Sequence, residues 1–157
     1  MIQKEKFISE EYPKGDTIQV VMLGLFIATW VLDSFMFKFT AYGSIVPWYL
    51  RAIVGLLVIL FGAYLVDASH KLVIDVDEPV LVDWGVYSKV RHPMYLGIML
   101  IYLGLAVSTL SLTSIMLLAG IFLVYDMFAE YEETKIIEKL GQRYLNYRTQ
   151  VKRWLPL

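Results

Sequence analysis

Four apolar runs set the rhythm of this chain. The first extends from about Ile18 to Phe37, interrupted only by Asp33, and is long enough to cross about 30 Å of hydrocarbon as a helix. The second opens at Pro47, with Trp48 and Tyr49 suited to an interfacial aromatic belt, and continues to about Val66. Asp67, Ser69, His70 and Lys71 mark its exit. The third runs from Pro93 to about Thr109 and the fourth from Ser114 to about Phe128. A tight polar turn over Ser108 to Thr113 joins these two, which predicts an antiparallel helical hairpin. Beyond Phe128, Ile136, Ile137 and Leu140 alternate with Glu130, Glu132, Glu133, Lys135, Glu138 and Lys139, so the helix should leave the membrane and continue to a C-cap at Gly141. Gln142 to Arg153 is basic and aromatic, the composition of a segment lying on anionic lipid. The pattern therefore predicts an all-α integral membrane protein, a bundle of about four transmembrane helices followed by a short C-terminal cytoplasmic helix. Residues 1–157 form a single domain, of which 1–71 is an N-terminal helical hairpin.

Composition agrees with this class. Of 157 residues, 58% are hydrophobic and 18% charged, which excludes an ordinary soluble domain. A net charge of −1 without a Lys/Arg-rich run excludes nucleic-acid binding. With no cysteine, disulfides, thiol nucleophiles and cysteine metal sites are ruled out, and His70 and His92 lack ligand-spaced partners, so no metal is expected. Glu5, Glu10 and Glu11 ahead of the first apolar run are unlike a cleavable signal peptide, and the first segment is expected to remain. Lys4, Lys6 and Lys14 precede the first span, Lys71, Lys89 and Arg91 lie between the second and third, and six basic residues follow the fourth, against Lys38 and Arg51 on the opposite side. By the positive-inside rule both termini and the Leu72 to Arg91 segment face the cytoplasm.

Candidate chemistry collects on that side. Within Val86 to Gly97 a polar segment holding Lys89, Arg91 and His92 runs into the third apolar helix, with Pro93 at its first position and Tyr95 one turn deeper. Free N–H groups at such a helix start favour an anion, so Arg91, His92 and Tyr95 can hold something polar at the membrane surface. The same residues also suit a plain stop-transfer flank. Asp126 sits one turn before Glu130 and is costly in an apolar run, whereas Asp33 can reach the far headgroups. By spacing alone, adjacent Glu132 and Glu133 read as a solvated helix face rather than a site. Gly55 and Gly62, like Gly97 and Gly104, are seven residues apart and mark helix faces for close backbone approach.

One resemblance draws these residues together. Gly85-Val86-Tyr87, then Arg91-His92-Pro93-Met94-Tyr95-Leu96-Gly97, then Glu132-Glu133 leading to Gly141-Gln142-Arg143-Tyr144-Leu145-Asn146-Tyr147 and the terminal Leu155-Pro156, resembles the isoprenylcysteine carboxyl methyltransferase family, itself similar to membrane phospholipid N-methyltransferases. The likeness covers roughly Pro79 to Leu157. It implies a methyltransferase using S-adenosylmethionine, with residues 72–157 as the cofactor-binding catalytic half. Carried over by position, the cofactor contacts are Pro79, Val80, Leu81, Val82, Tyr87, His92, Pro93, Met94, Tyr95 and Glu132, and the catalytic group is Arg91, His92 and Tyr95. In that scheme Glu132 holds the cofactor's amino group, and His92 with its helix terminus holds the carboxylate. An arginine associated with the prenylated substrate in eukaryotic members is replaced here by Phe128, which with Asp126 becomes the candidate substrate contact. The acceptor is expected to be a small lipophilic or lipid-modified molecule bearing a carboxylate, amine or thiol, with transfer to a carboxylate favoured. Two rivals are a membrane reductase using a nicotinamide cofactor, for which 157 residues offer a small footprint, and a non-enzymatic helical scaffold.

Overall fold

The computed structural model describes residues 12–41, 46–74 and 81–155. Pro79 and Val80 lie outside them. Five helices follow in order: α1 (Gly15–Val31), α2 (Trp48–Ile74), α3 (Pro93–Thr109), α4 (Leu112–Leu140) and α5 (Gln142–Gln150). A π-helical turn, Leu32–Phe37, continues α1, and a 3-10 turn, Gly85–Ser88, precedes α3. The first four helices run antiparallel to their chain neighbours. Three stretches, Gly15–Phe37, Trp48–Val73 and Leu112–Leu140, are long and apolar enough to cross a membrane, and α3 is a shorter apolar helix of 17 residues. Helices dominate because each satisfies its backbone hydrogen bonds internally, which hydrocarbon demands. Leu56, Leu57, Leu60, Phe61 and Tyr64 of α2 point outward, apolar and exposed, as lipid-facing side chains do.

α2 and α3 form the tightest pair, and the two glycine pairs are the reason. A Cβ at Gly55 would sit 2.6 Å from the Gly104 carbonyl oxygen, and one at Gly62 the same distance from that of Gly97. Only hydrogen at these positions lets the backbones meet. α1 packs against α4 around Met22, Phe26, Met99, Tyr102, Ala106, Ile121, Tyr125 and Phe128.

The second helix does not end near Val66 but continues to Ile74. Asp67 and Lys71 pair across one turn at 2.6 Å, and Ser69 donates back to the Leu65 carbonyl, so the polar exit from the membrane prolongs the helix rather than breaking it. α4 is likewise unbroken past Phe128, and Gly141, at φ +53°, ends it. Asp33 does not reach outward. It is buried, accepting from Thr40 N at 2.9 Å, Thr40 Oγ1 at 2.6 Å and Ser111 Oγ at 2.6 Å, which closes the far end of the bundle.

Candidate active site

At the opposite end a cavity of about 380 Å³ lies between the starts of α1 and α3, the ends of α2 and α4, and α5. His92 caps α3 and Pro93 takes its first position, so the chain enters that helix with the imidazole and, one turn on, the Tyr95 phenol turned toward α4. From α4, Glu132 comes to meet them. Tyr95 Oη donates to Glu132 Oε1, and His92 Nδ1 lies 3.7 Å from Glu132 Oε2. Leu81, Val82, Tyr87, Arg91, His92, Met94, Tyr95, Phe128 and Glu132 all line the cavity. Burial, followed by the nearby Glu132 charge, pushes the Tyr87 phenol up to about 12, so it stays protonated as a donor at physiological pH.

Glu133, next to Glu132, is the most enclosed carboxylate described, with 2% of its surface exposed. Arg91 reaches it with Nε at 3.1 Å and Nη2 at 3.2 Å, Arg153 with Nε at 3.0 Å, and His92 Nε2 is 3.1 Å away. The two glutamates are thus not a solvated face. One faces the cavity and its neighbour, about 100° around the helix, ties three segments together.

Three expectations change accordingly. Arg91 lines the cavity, yet its guanidinium is occupied by Glu133 and by the Val151 carbonyl at 2.6 Å, so it braces the site. Asp126 does not line the cavity. Its Oδ1 accepts from Arg153 Nη1 at 2.9 Å and Trp154 Nε1 at 2.8 Å, anchoring the C-terminal segment. Pro93 is buried but shapes the helix start rather than the cavity wall.

Other wall residues went unanticipated. Tyr12, Gly15, Asp16 and Gln19 come from the start of α1, with Tyr12 stacked on Phe128 at 4.8 Å, and nothing in their spacing announces a site. Tyr144 and Tyr147 had a signal in the Gly141-to-Tyr147 motif but no assigned role. Both are buried against Leu81 and Val151, and Tyr147 Oη donates to the Tyr87 carbonyl at 2.6 Å. A parallel bridge between Val90 and Lys152 completes this C-terminal brace.

An apolar helical bundle opening at one end into a carboxylate-bearing cavity defines an all-helical integral membrane protein. Its family follows from comparison: the phospholipid methyltransferase family model matches residues 50–143, and the chain belongs to that family. It is similar to the protein-S-isoprenylcysteine O-methyltransferase of Saccharomyces cerevisiae, at 28% identity over 142 residues, covering 80% of this chain and 58% of that protein. The Xenopus laevis protein of the same name is 27% identical over 143 residues, covering 83% and 48%. The chain spans about half the length of the curated relatives it matches.

Proposed function

We propose that this protein is an S-adenosylmethionine-dependent methyltransferase acting on a lipophilic acceptor at the cytoplasmic membrane face. The observation that carries the reading is the convergence of Tyr95, His92 and Glu132, from α3 and α4, on one cavity beside the apolar pair Leu81 and Val82. The residues fit the cofactor's chemistry. A volume of about 380 Å³ falls within the usual range for small-molecule sites, roughly 300–1,000 Å³. Glu132 would hold the ammonium group, and Leu81, Val82 and Tyr147 would cover the adenine. The cofactor supplies the electrophilic methyl group when bound. What falls to the chain is alignment and exclusion of water. Phe128 and Tyr12 present an uncharged aromatic wall where the acceptor head would lie.

The names of the relatives favour O-methylation of a carboxylate on a prenylated cysteine, and the family's name leaves a phospholipid amine as the alternative acceptor. The Lys/Arg distribution supports a cytoplasmic site. Because the helices below the cavity are apolar, a hydrocarbon tail would enter from the bilayer and contribute most of the binding, at about 25 cal/mol per Å² buried. Calorimetric titration of the purified protein with S-adenosylmethionine, its demethylated product and NADPH tests the reading. The first two should bind and NADPH should not, and the reverse would point to a reductase. Labelled cofactor with a panel of acceptors in liposomes should then favour lipophilic over water-soluble molecules sharing one head group. Equal turnover of the soluble analogue would refute lateral entry.

A further inference from the structure

Glu133 lies outside the cavity wall, yet two of the residues that hold it, Arg91 and His92, line the cavity, while Arg153 and, at 3.6 Å, Arg148 approach it from the C-terminal segment. Arg91 and Arg153 both place guanidinium nitrogens on its two oxygens, at 3.1 and 3.2 Å and at 3.0 and 3.4 Å. Such a carboxylate is charged and can only accept hydrogen bonds. His92 Nε2, at 3.1 Å from Oε1, must therefore carry its proton toward Glu133. The ring is also fixed in direction, parallel to Tyr95 within 5° at 5.8 Å and flanked by Trp154 at 5.9 Å.

We infer that Glu133 sets the tautomer of His92, so that the imidazole presents Nδ1 to the cavity as an acceptor rather than a donor. Nδ1 lies on the side of Glu132, 3.7 Å from Oε2. A lone pair and a carboxylate that converge in this way suit a partner carrying at least two N–H donors, the carboxylate's charge favours a cationic one, and the group of that chemistry on the proposed cofactor is its primary ammonium. This rests on the cofactor reading above and revises one part of it. His92 joins Glu132 on the ammonium instead of donating to the cofactor carboxylate, and Glu133 and Arg153 become positioning residues that act through His92.

Solid-state ¹⁵N spectra of histidine-labelled protein in liposomes test the tautomer without any cofactor, with His70→Gln removing the second signal. The expected spectrum has a protonated Nε2 and an unprotonated Nδ1, and Glu133→Gln should return a mixture of tautomers. A protonated Nδ1 in the otherwise unaltered protein, as the other tautomer or as imidazolium, would overturn the inference. Calorimetry then separates positioning from folding. Glu133→Gln should weaken S-adenosylmethionine about tenfold or more while changing the affinity for methylthioadenosine, which lacks the amino acid end, by less than about twofold. Equal losses for both ligands would reduce Glu133 to a structural brace and overturn the assignment. Failure of the unaltered protein to bind S-adenosylmethionine would instead sink the cofactor reading and the ammonium subsite, leaving the tautomer result to stand or fall on the spectra.

Discussion

The two ends of the bundle both bury carboxylates, with different partners. At the far end Asp33 is surrounded by hydroxyls and a backbone N–H: Thr40, Ser111 and, through Thr40, Thr113 at 2.7 Å. All are short side chains on the connections or in the first turn of α4, and they seal the end. At the cavity end Glu133 is surrounded by long cationic side chains from distant parts of the sequence, and beside it Glu132 faces open volume. Short neutral donors make a plug. Long charged donors brace a frame around a space, and that space is where a ligand can be held.

The comparison is broken or sharpened most strongly at Glu133. Glu133→Ala leaves Arg91 and Arg153 without their carboxylate, and breaking a buried pair from one side costs about 3–5 kcal/mol. Thermal unfolding in detergent should show a large fall in midpoint. Asp33→Ala should cost less, about 1–3 kcal/mol, because Thr40 can still bond Thr113, and Ser111 can still bond Ser114 at 2.8 Å. Its cofactor affinity should be unchanged. If a folded Asp33→Ala protein lost cofactor binding, the two ends would not be independent.

The glycine pairs grade the same contrast along one interface. Gly97→Ala and Gly104→Ala each put a Cβ within 2.6 Å of a carbonyl oxygen, and the overpacking should cost about 1–3 kcal/mol apiece. Gly97 lies five residues past His92, so only its substitution should also weaken the cofactor. Gly24→Ala, with nothing within 4 Å, is the neutral control. Equal effects on binding from Gly97 and Gly104 would mean that strain at the interface spreads to both ends alike.

Much of this architecture was legible in the chain. Lipid imposes one rule on every residue of a span, so apolar runs, the Pro93 start, the Gly141 stop and the seven-residue glycine spacing each carried a local signal that survived folding. The site was legible only where a motif named its members. Asp33 and Glu133 were misread because exposure depends on partners that lie 78 and 42 residues away, Ser111 and Arg91, which periodicity cannot supply. Asp126 lies away from the cavity for the same reason, its partners Arg153 and Trp154 being 27 and 28 residues on, past the end of α5. Tyr12 and Gln19 enter the wall because α1 packs on α4, a choice of neighbour that no pattern within α1 records.

Glu132 carries the central claim, since it is the carboxylate that meets Tyr95 and His92 in the cavity, while Glu133 beside it is held in the frame. Glu132→Gln keeps the shape of the side chain and an acceptor for Tyr95 while removing the charge, so the protein should melt near the unaltered midpoint. Titrated with S-adenosylmethionine, it should bind more weakly by about 1.5–3 kcal/mol, tenfold or more in Kd. A folded Glu132→Gln protein that binds the cofactor as tightly as the unaltered chain would contradict the account.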